Sequence, residues 1–212
     1  MLQGALVTID AIGTQAGIAG QIIEGGGDYC LALKRNRPVL HADVERFFAD
    51  ADADTLDTHT TTDGDHGRIE ERRYAVCHDV AWLFSDRRYT DEPRFPGLAM
   101  IGMVETRVER GGVLACERRY YISSAPLDAG TFARAVRAHW GIENRLHWVL
   151  DVVFHDDLAR LRTGHGPQNM AIVKHMGLNL MRSTRAGKSL KVRRKKAAWN
   201  TGYLADVLRG VA

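Results

Sequence analysis

The sequence predicts an α/β protein with a β-rich insertion and a helical C-terminal part, and three observations carry that prediction. Two apolar, strand-like stretches near the N-terminus alternate with two helix-like ones. The middle of the chain is rich in β-branched and aromatic residues and is punctuated by Gly97, Gly102, Gly111 and Gly112. After Pro126, apolar residues recur every three or four positions.

In order, Ala5-Leu-Val-Thr-Ile-Asp10 reads as a strand closed by a carboxylate, and Gly13-Thr14 introduces a helix over Gln15 to Glu24. Gly25-Gly26-Gly27 breaks that helix, and Asp28-Tyr-Cys-Leu-Ala-Leu-Lys34 is a second strand. Pro38 then opens a helix carrying Val39, Leu40, Val44, Phe47 and Phe48. Strand, helix, strand, helix favours parallel pairing. Residues 51–67 are polar and read as an exposed connection. Strands are expected over Arg68 to His78, Leu98 to Val108 and Arg118 to Ser124, and helices over Leu127 to Asp151, Pro167 to Met181 and Trp199 to Leu208. The expected divisions are 1–50 for a partial α/β core, 51–126 for the connection and β-rich insertion, and 127–212 for a helical part with a basic segment.

Composition narrows the class without naming a function. The 212 residues are 45% hydrophobic and 26% charged, which suits an ordinary globular protein with a buried core. No apolar run reaches the length of about 18 residues that spans a bilayer, so no membrane partner is expected and the chain reads as cytoplasmic. Cys30, Cys77 and Cys116 are far apart and lack CxxC spacing, which suggests buried thiols rather than a disulfide framework or a zinc site. The net charge of +3 is small, but Arg182 to Lys196 holds eight basic residues and no acid. Such a run can hold phosphates, or it can be a solvated loop.

Two carboxylates stand out. Asp10 closes a strand, and the carboxyl ends of strands in α/β sheets are where ligands and ions collect. A helix cap or turn residue is the plainer alternative. Glu143 sits in Arg137-Ala-His-Trp-Gly-Ile-Glu-Asn-Arg-Leu-His-Trp-Val-Leu-Asp151, where His139, Glu143, His147 and Asp151 follow at i, i+4 and would form one polar stripe on a helix. The plainer alternative is a chain of surface ion pairs and hydrogen bonds, with Trp140 and Trp148 simply in the core. Zinc is disfavoured there, because His139 and His147 lie about 12 Å apart along an ideal helix.

Those segments, with Gly4-Ala-Leu-Val-Thr-Ile-Asp-Ala-Ile-Gly-Thr-Gln15, Gly27-Asp-Tyr-Cys-Leu-Ala-Leu-Lys34, His66-Gly-Arg-Ile-Glu70, Tyr120-Tyr-Ile-Ser-Ser124, Gly166-Pro-Gln-Asn169 and Leu178-Asn-Leu-Met181, resemble the H-repeat-associated insertion-sequence transposases of the DDE class. The resemblance covers essentially the whole chain. It implies an incomplete RNase H-like core in which Asp10 is the second catalytic aspartate and Glu143 the catalytic glutamate. Both would be metal ligands in a site for two Mg²⁺ or Mn²⁺ ions. The implied partners are transposon-end and target DNA, with a homodimer as the candidate assembly.

The resemblance has two departures. The family's first aspartate lies in an Asp-Gly-Lys motif upstream of the Asp10 block, and no such motif occurs in these 212 residues. The expectation is therefore a truncated C-terminal part, inactive by itself. Related transposases also carry an arginine four residues before the glutamate and a lysine seven after it, where this chain has His139 and Leu150. Phosphate contacts are expected instead from Arg137, Arg145 and His147, and from Arg193, Arg194, Lys195 and Lys196. A non-catalytic DNA-binding or regulatory protein derived from a transposase is the alternative function.

Overall fold

A computed structural model describes residues 2–65, 68–84, 95–184, 187 and 189–210. His66 and Gly67 of one resembling segment, and Arg185 and Lys188 of the basic run, lie outside the described residues. The chain is a mixed α/β protein and divides into two compact units, residues 1–139 and residues 140–212.

The first unit is built on a six-stranded mixed sheet of β1 (Leu6–Ile9), β2 (Asp28–Leu33), β3 (Asp57–Asp65), β4 (Arg68–Cys77), β5 (Met100–Arg110) and β6 (Val113–Ser123), in the order β1-β2-β6-β5-β4-β3. The expected parallel pair is present: β1 runs parallel to β2, with Ile9 opposite Leu31. Every other neighbouring pair is antiparallel. The β-rich middle therefore continues the sheet through β2 and β6, with Cys30 opposite Ser123.

Alternation along the strands supplies two cores, one on each face. Tyr29, Leu31, Leu33, Ile101, Met103, Tyr120 and Ile122 pack against α1 (Ala16–Glu24) and α2 (Pro38–Asp50) through Ala19, Ile22, Leu40, Val44 and Phe48. The residues between them, Cys30, Met100, Val104 and Tyr121, with Tyr74 and Val76, face α3 (Ala129–Ile142) through Phe132, Ala133 and Val136. Gly102 decides how close α3 comes, since a Cβ there would lie 2.7 Å from Cζ of the Phe132 ring.

Three local expectations are revised. Residues 57–65, read as a polar connection, form edge strand β3, because four threonines accept an extended backbone that pairs with β4 on one side. Cys116 is exposed rather than buried, since the distal half of β6 has no helix over it. The helix over Leu127 to Asp151 is interrupted by a π segment, Glu143–His147, before α4 (Trp148–Phe154). A π turn takes more residues than an α turn, so the i, i+4 stripe through His139, Glu143, His147 and Asp151 does not run as one continuous α-helical face.

The second unit packs α4 with α5 (Gly166–Ser183), α6 (Leu190–Trp199) and α7 (Thr201–Arg209). Val149, Leu150, Val153 and Leu178 form one small core, and Met181, Ala197, Tyr203 and Val207 another. Trp140 and Trp148 are exposed, not core, as are Ile142 and Val152. The basic run includes a helix, α6, capped by Ser189 accepting from Val192 N–H. Among the described residues no helix is long and apolar enough to cross a membrane.

Candidate functional site

Asp10 leaves the sheet at the carboxyl end of β1, immediately before a 3₁₀ turn over Ala11–Gly13. Leu6, Thr8 and Asp10 share one face of β1, the face that α3 covers, because Leu6 packs in the core beneath α3. The carboxylate is exposed and pairs with Lys34, whose Nζ lies 3.3 Å from Asp10 Oδ1 at the end of the parallel neighbour β2. The Ala11 backbone N–H is the largest cause holding its pKa below the usual aspartate value; partial burial opposes this, and Lys34 and then His139 add to the lowering. Asp10 is therefore a firmly ionised carboxylate with open oxygen lone pairs.

The loops that follow the two parallel strands are fastened to each other. Asn36 Nδ2 donates to the Ala11 carbonyl at 2.5 Å, Arg37 Nε to the Thr14 carbonyl at 3.3 Å, and Thr14 Oγ1 to the Ala32 carbonyl at 2.6 Å. Gly13 is required within this lattice, since a Cβ on it would stand 2.5 Å from Ile9 Cγ2. Alternation along β6 places Glu117 and Arg119 on the same sheet face as Tyr121, and the two form a bidentate pair at 2.9 and 3.0 Å. From α3, His139 Nδ1 lies 3.1 Å from Thr8 Oγ1. His139 thus reaches the strand that ends in Asp10. Asp10, Lys34, Arg119 and His139 make a mixed-charge cluster at the end of the parallel pair.

Lys34, Asn36 and Arg37 escaped the sequence reading, which followed carboxylates and one long basic run. The signal was present: Lys34-Arg35-Asn36-Arg37 puts three cations in four positions directly after a strand.

Glu143 opens the π segment of the second unit; its backbone is described and its side chain lies outside the description. Asp10 and Glu143 are thus placed in different units, each described within its own. Arg182 of α5 donates to the Arg145 carbonyl, supplying a partner to a carbonyl inside the π segment. The Arg145 and His147 side chains are exposed.

The remaining basic residues divide by what they touch. Arg137 pairs with Asp63 at 3.2 Å. Arg193 Nη1 donates to the Met181 and Thr184 carbonyls at 2.9 and 3.2 Å, closing the C-terminal end of α5. Arg194 stacks over the Phe154 ring and Lys196 over the Tyr203 ring. Lys195 is exposed, as is Lys191 one turn before it.

The profile of the family described as Transposase DDE domain matches residues 1–180. The chain belongs to the DDE transposase family. A protein of Escherichia coli O157:H7 with the name "Putative transposase YncI" is 38% identical, over 98% of this chain and 53% of its own length. In Escherichia coli strain K12, the "H repeat-associated putative transposase YhhI" is 34% identical over 99% of this chain and 56% of its own length. These relatives bear out the resemblance to the H-repeat-associated group. The DDE transposase chain spans about half the length of these curated relatives. No solved structure matches it.

The chemistry of a divalent ion can be weighed against these residues. An ionised, accessible carboxylate such as Asp10 suits a hard cation. Among the described residues, however, no group of three or more His, Cys, Asp or Glu side chains could hold a metal ion, and the nearby Glu117 is committed to Arg119. The described side chains of this DDE transposase domain do not by themselves compose a two-metal ligand set.

Proposed function

We propose that this chain contributes part of the catalytic site of an insertion-sequence transposase, which cleaves transposon-end DNA and transfers the strand to a target. Asp10 carries the reading: an ionised, accessible carboxylate at the carboxyl end of a parallel strand, in a chain of the DDE family. The parallel pair β1–β2, with its helices, is then part of an RNase H-like core. Asp10 and Glu143 are the two catalytic carboxylates of this chain and its ligands for Mg²⁺ or Mn²⁺.

The roles of the surrounding residues follow from their contacts. Lys34 offsets the charge of Asp10 at a place where phosphate must approach. Asn36, Arg37 and Thr14 keep the loop bearing Asp10 from shifting, and a displacement of about 1 Å can cost a hundredfold in rate. Arg145, His147 and Lys195 are exposed cations or donors for the DNA backbone.

The test is a cleavage and strand-transfer assay with duplexes carrying the element's ends, in Mg²⁺ or Mn²⁺. We expect the 212-residue chain to be inactive alone. A chain joined to a region bearing the family's Asp-Gly-Lys motif should be active, and Asp10→Ala or Glu143→Ala should abolish that activity. Activity that survives both substitutions would refute the assignment. DNA binding with no cleavage by either chain would favour the regulatory alternative.

A further inference from the structure

The two units differ in charge more than their sum suggests. Residues 140–212 carry thirteen basic and five acidic side chains, whereas residues 1–139 carry sixteen basic and twenty-one acidic ones. The sheet unit is thus net negative and by itself repels nucleic acid. Within it, four cations stand together at the end of the parallel pair, where Lys34, Arg35, Arg37 and Arg119 outnumber Asp10 and Glu117.

We propose that the turn Lys34-Arg35-Asn36-Arg37 is a phosphate-binding element that holds the backbone of a DNA strand beside Asp10. The side chains divide the work. Arg37 and Asn36 point their donors into the neighbouring loop, at the Thr14 and Ala11 carbonyls, and so fix the shape of the turn. Lys34 and Arg35 are exposed and face an incoming strand, and Lys34 already lies 3.3 Å from the carboxylate that the strand must approach. A fixed turn that presents exposed cations next to an aspartate can accept a phosphate without rearranging its backbone. The choice of DNA as the polyanion rests on the transposase reading, and binding by the parent chain tests that reading separately.

The experiment is equilibrium binding of the full 212-residue chain to a fluorescein-labelled duplex, by anisotropy, across a potassium chloride series. In Lys34→Gln/Arg35→Gln the slope of log K against log salt should flatten by about 0.9 for each phosphate that the turn no longer neutralises, similarly for any duplex sequence. Lys34→Arg/Arg35→Lys should keep the slope. Asp10→Asn should tighten metal-free binding by releasing Lys34, and should do so less in a Lys34→Gln background. A second variant, Arg35→Glu, which touches only an exposed side chain, should weaken binding further at an unchanged melting temperature. If the Gln pair and Arg35→Glu both bind with the parent's slope, this proposal is wrong while the transposase reading stands. If the parent chain shows no salt-dependent binding at all, the transposase reading fails with it.

Discussion

His139 Nδ1 lies 3.1 Å from Thr8 Oγ1, so the end of α3 is tied to the strand position that precedes Asp10 on the same sheet face. Histidine spans the gap to a β1 hydroxyl and adds to the field at Asp10.

Thr8→Val, nearly isosteric, removes that hydroxyl and leaves the strand propensity intact. We expect a loss of about 0.5–1.5 kcal/mol in urea denaturation, together with altered chemical shifts of the His139 ring nitrogens. A ring spectrum identical to the parent's would disprove the contact.

Gly102 and Gly13 are predicted to resist alanine for the same geometric reason. At Gly102 the added methyl meets the fully buried Phe132 ring, and at Gly13 it meets the branched Ile9 side chain. Overpacking of this kind costs about 1–3 kcal/mol, which would show in thermal melts of Gly102→Ala. Gly13→Ala should in addition disturb the loop bearing Asp10, seen as amide shifts at residues 10–15. Wild-type melting of Gly102→Ala would rule out the close approach of α3.

In the basic run, charge and structure should separate by mutation. Arg193→Gln should destabilise the helical unit, because the Met181 and Thr184 carbonyls lose a donor, at about 1–3 kcal/mol. Lys195→Gln, on an exposed side chain, should change stability by no more than about 0.5 kcal/mol and act only on DNA affinity. Equal melting temperatures for the two variants would contradict this division.

Arg182→Gln tests the anchor of the π segment. Hydrogen exchange at residues 143–147 should accelerate when the Arg145 carbonyl loses its partner, while the α7 amides keep the parent's protection. Unchanged exchange would show that the segment holds itself.

Acid sensitivity should centre on Glu105. Burial alone would raise its pKa, but Arg118 and Arg107, each at 2.7 Å, more than offset that and leave it lowered from 4.5. A depressed carboxylate stabilises the fold above its unfolded pKa, and that contribution is lost as pH falls through the lower folded value. Wild type should exceed Glu105→Gln at pH 7 by on the order of 1 kcal/mol, discounted because both arginines are half exposed. The gap should close on acidification below about pH 4. A gap that persists there would place its origin in packing.

Local patterns were enough to read the parallel pair, α1, α2 and the family. The apolar runs Leu6–Ile9 and Asp28–Leu33, the break at Gly25-Gly26-Gly27 and the Pro38 start are all encoded within a few residues. The block from His139 to Asp151 is distinctive enough to name the group. Local patterns could not show that β6 would lie beside β2, since that pairing joins residues far apart in the chain and depends on which edge is free. Nor could they separate the basic residues. Arg193, Arg194 and Lys196 differ from Lys195 only in what tertiary packing sets beside them, a pair of carbonyls, Phe154 and Tyr203. Asp10 was visible as a carboxylate at a strand end, but its partner Lys34 was decided by the parallel register, which brings the two strand ends together across the loop connection.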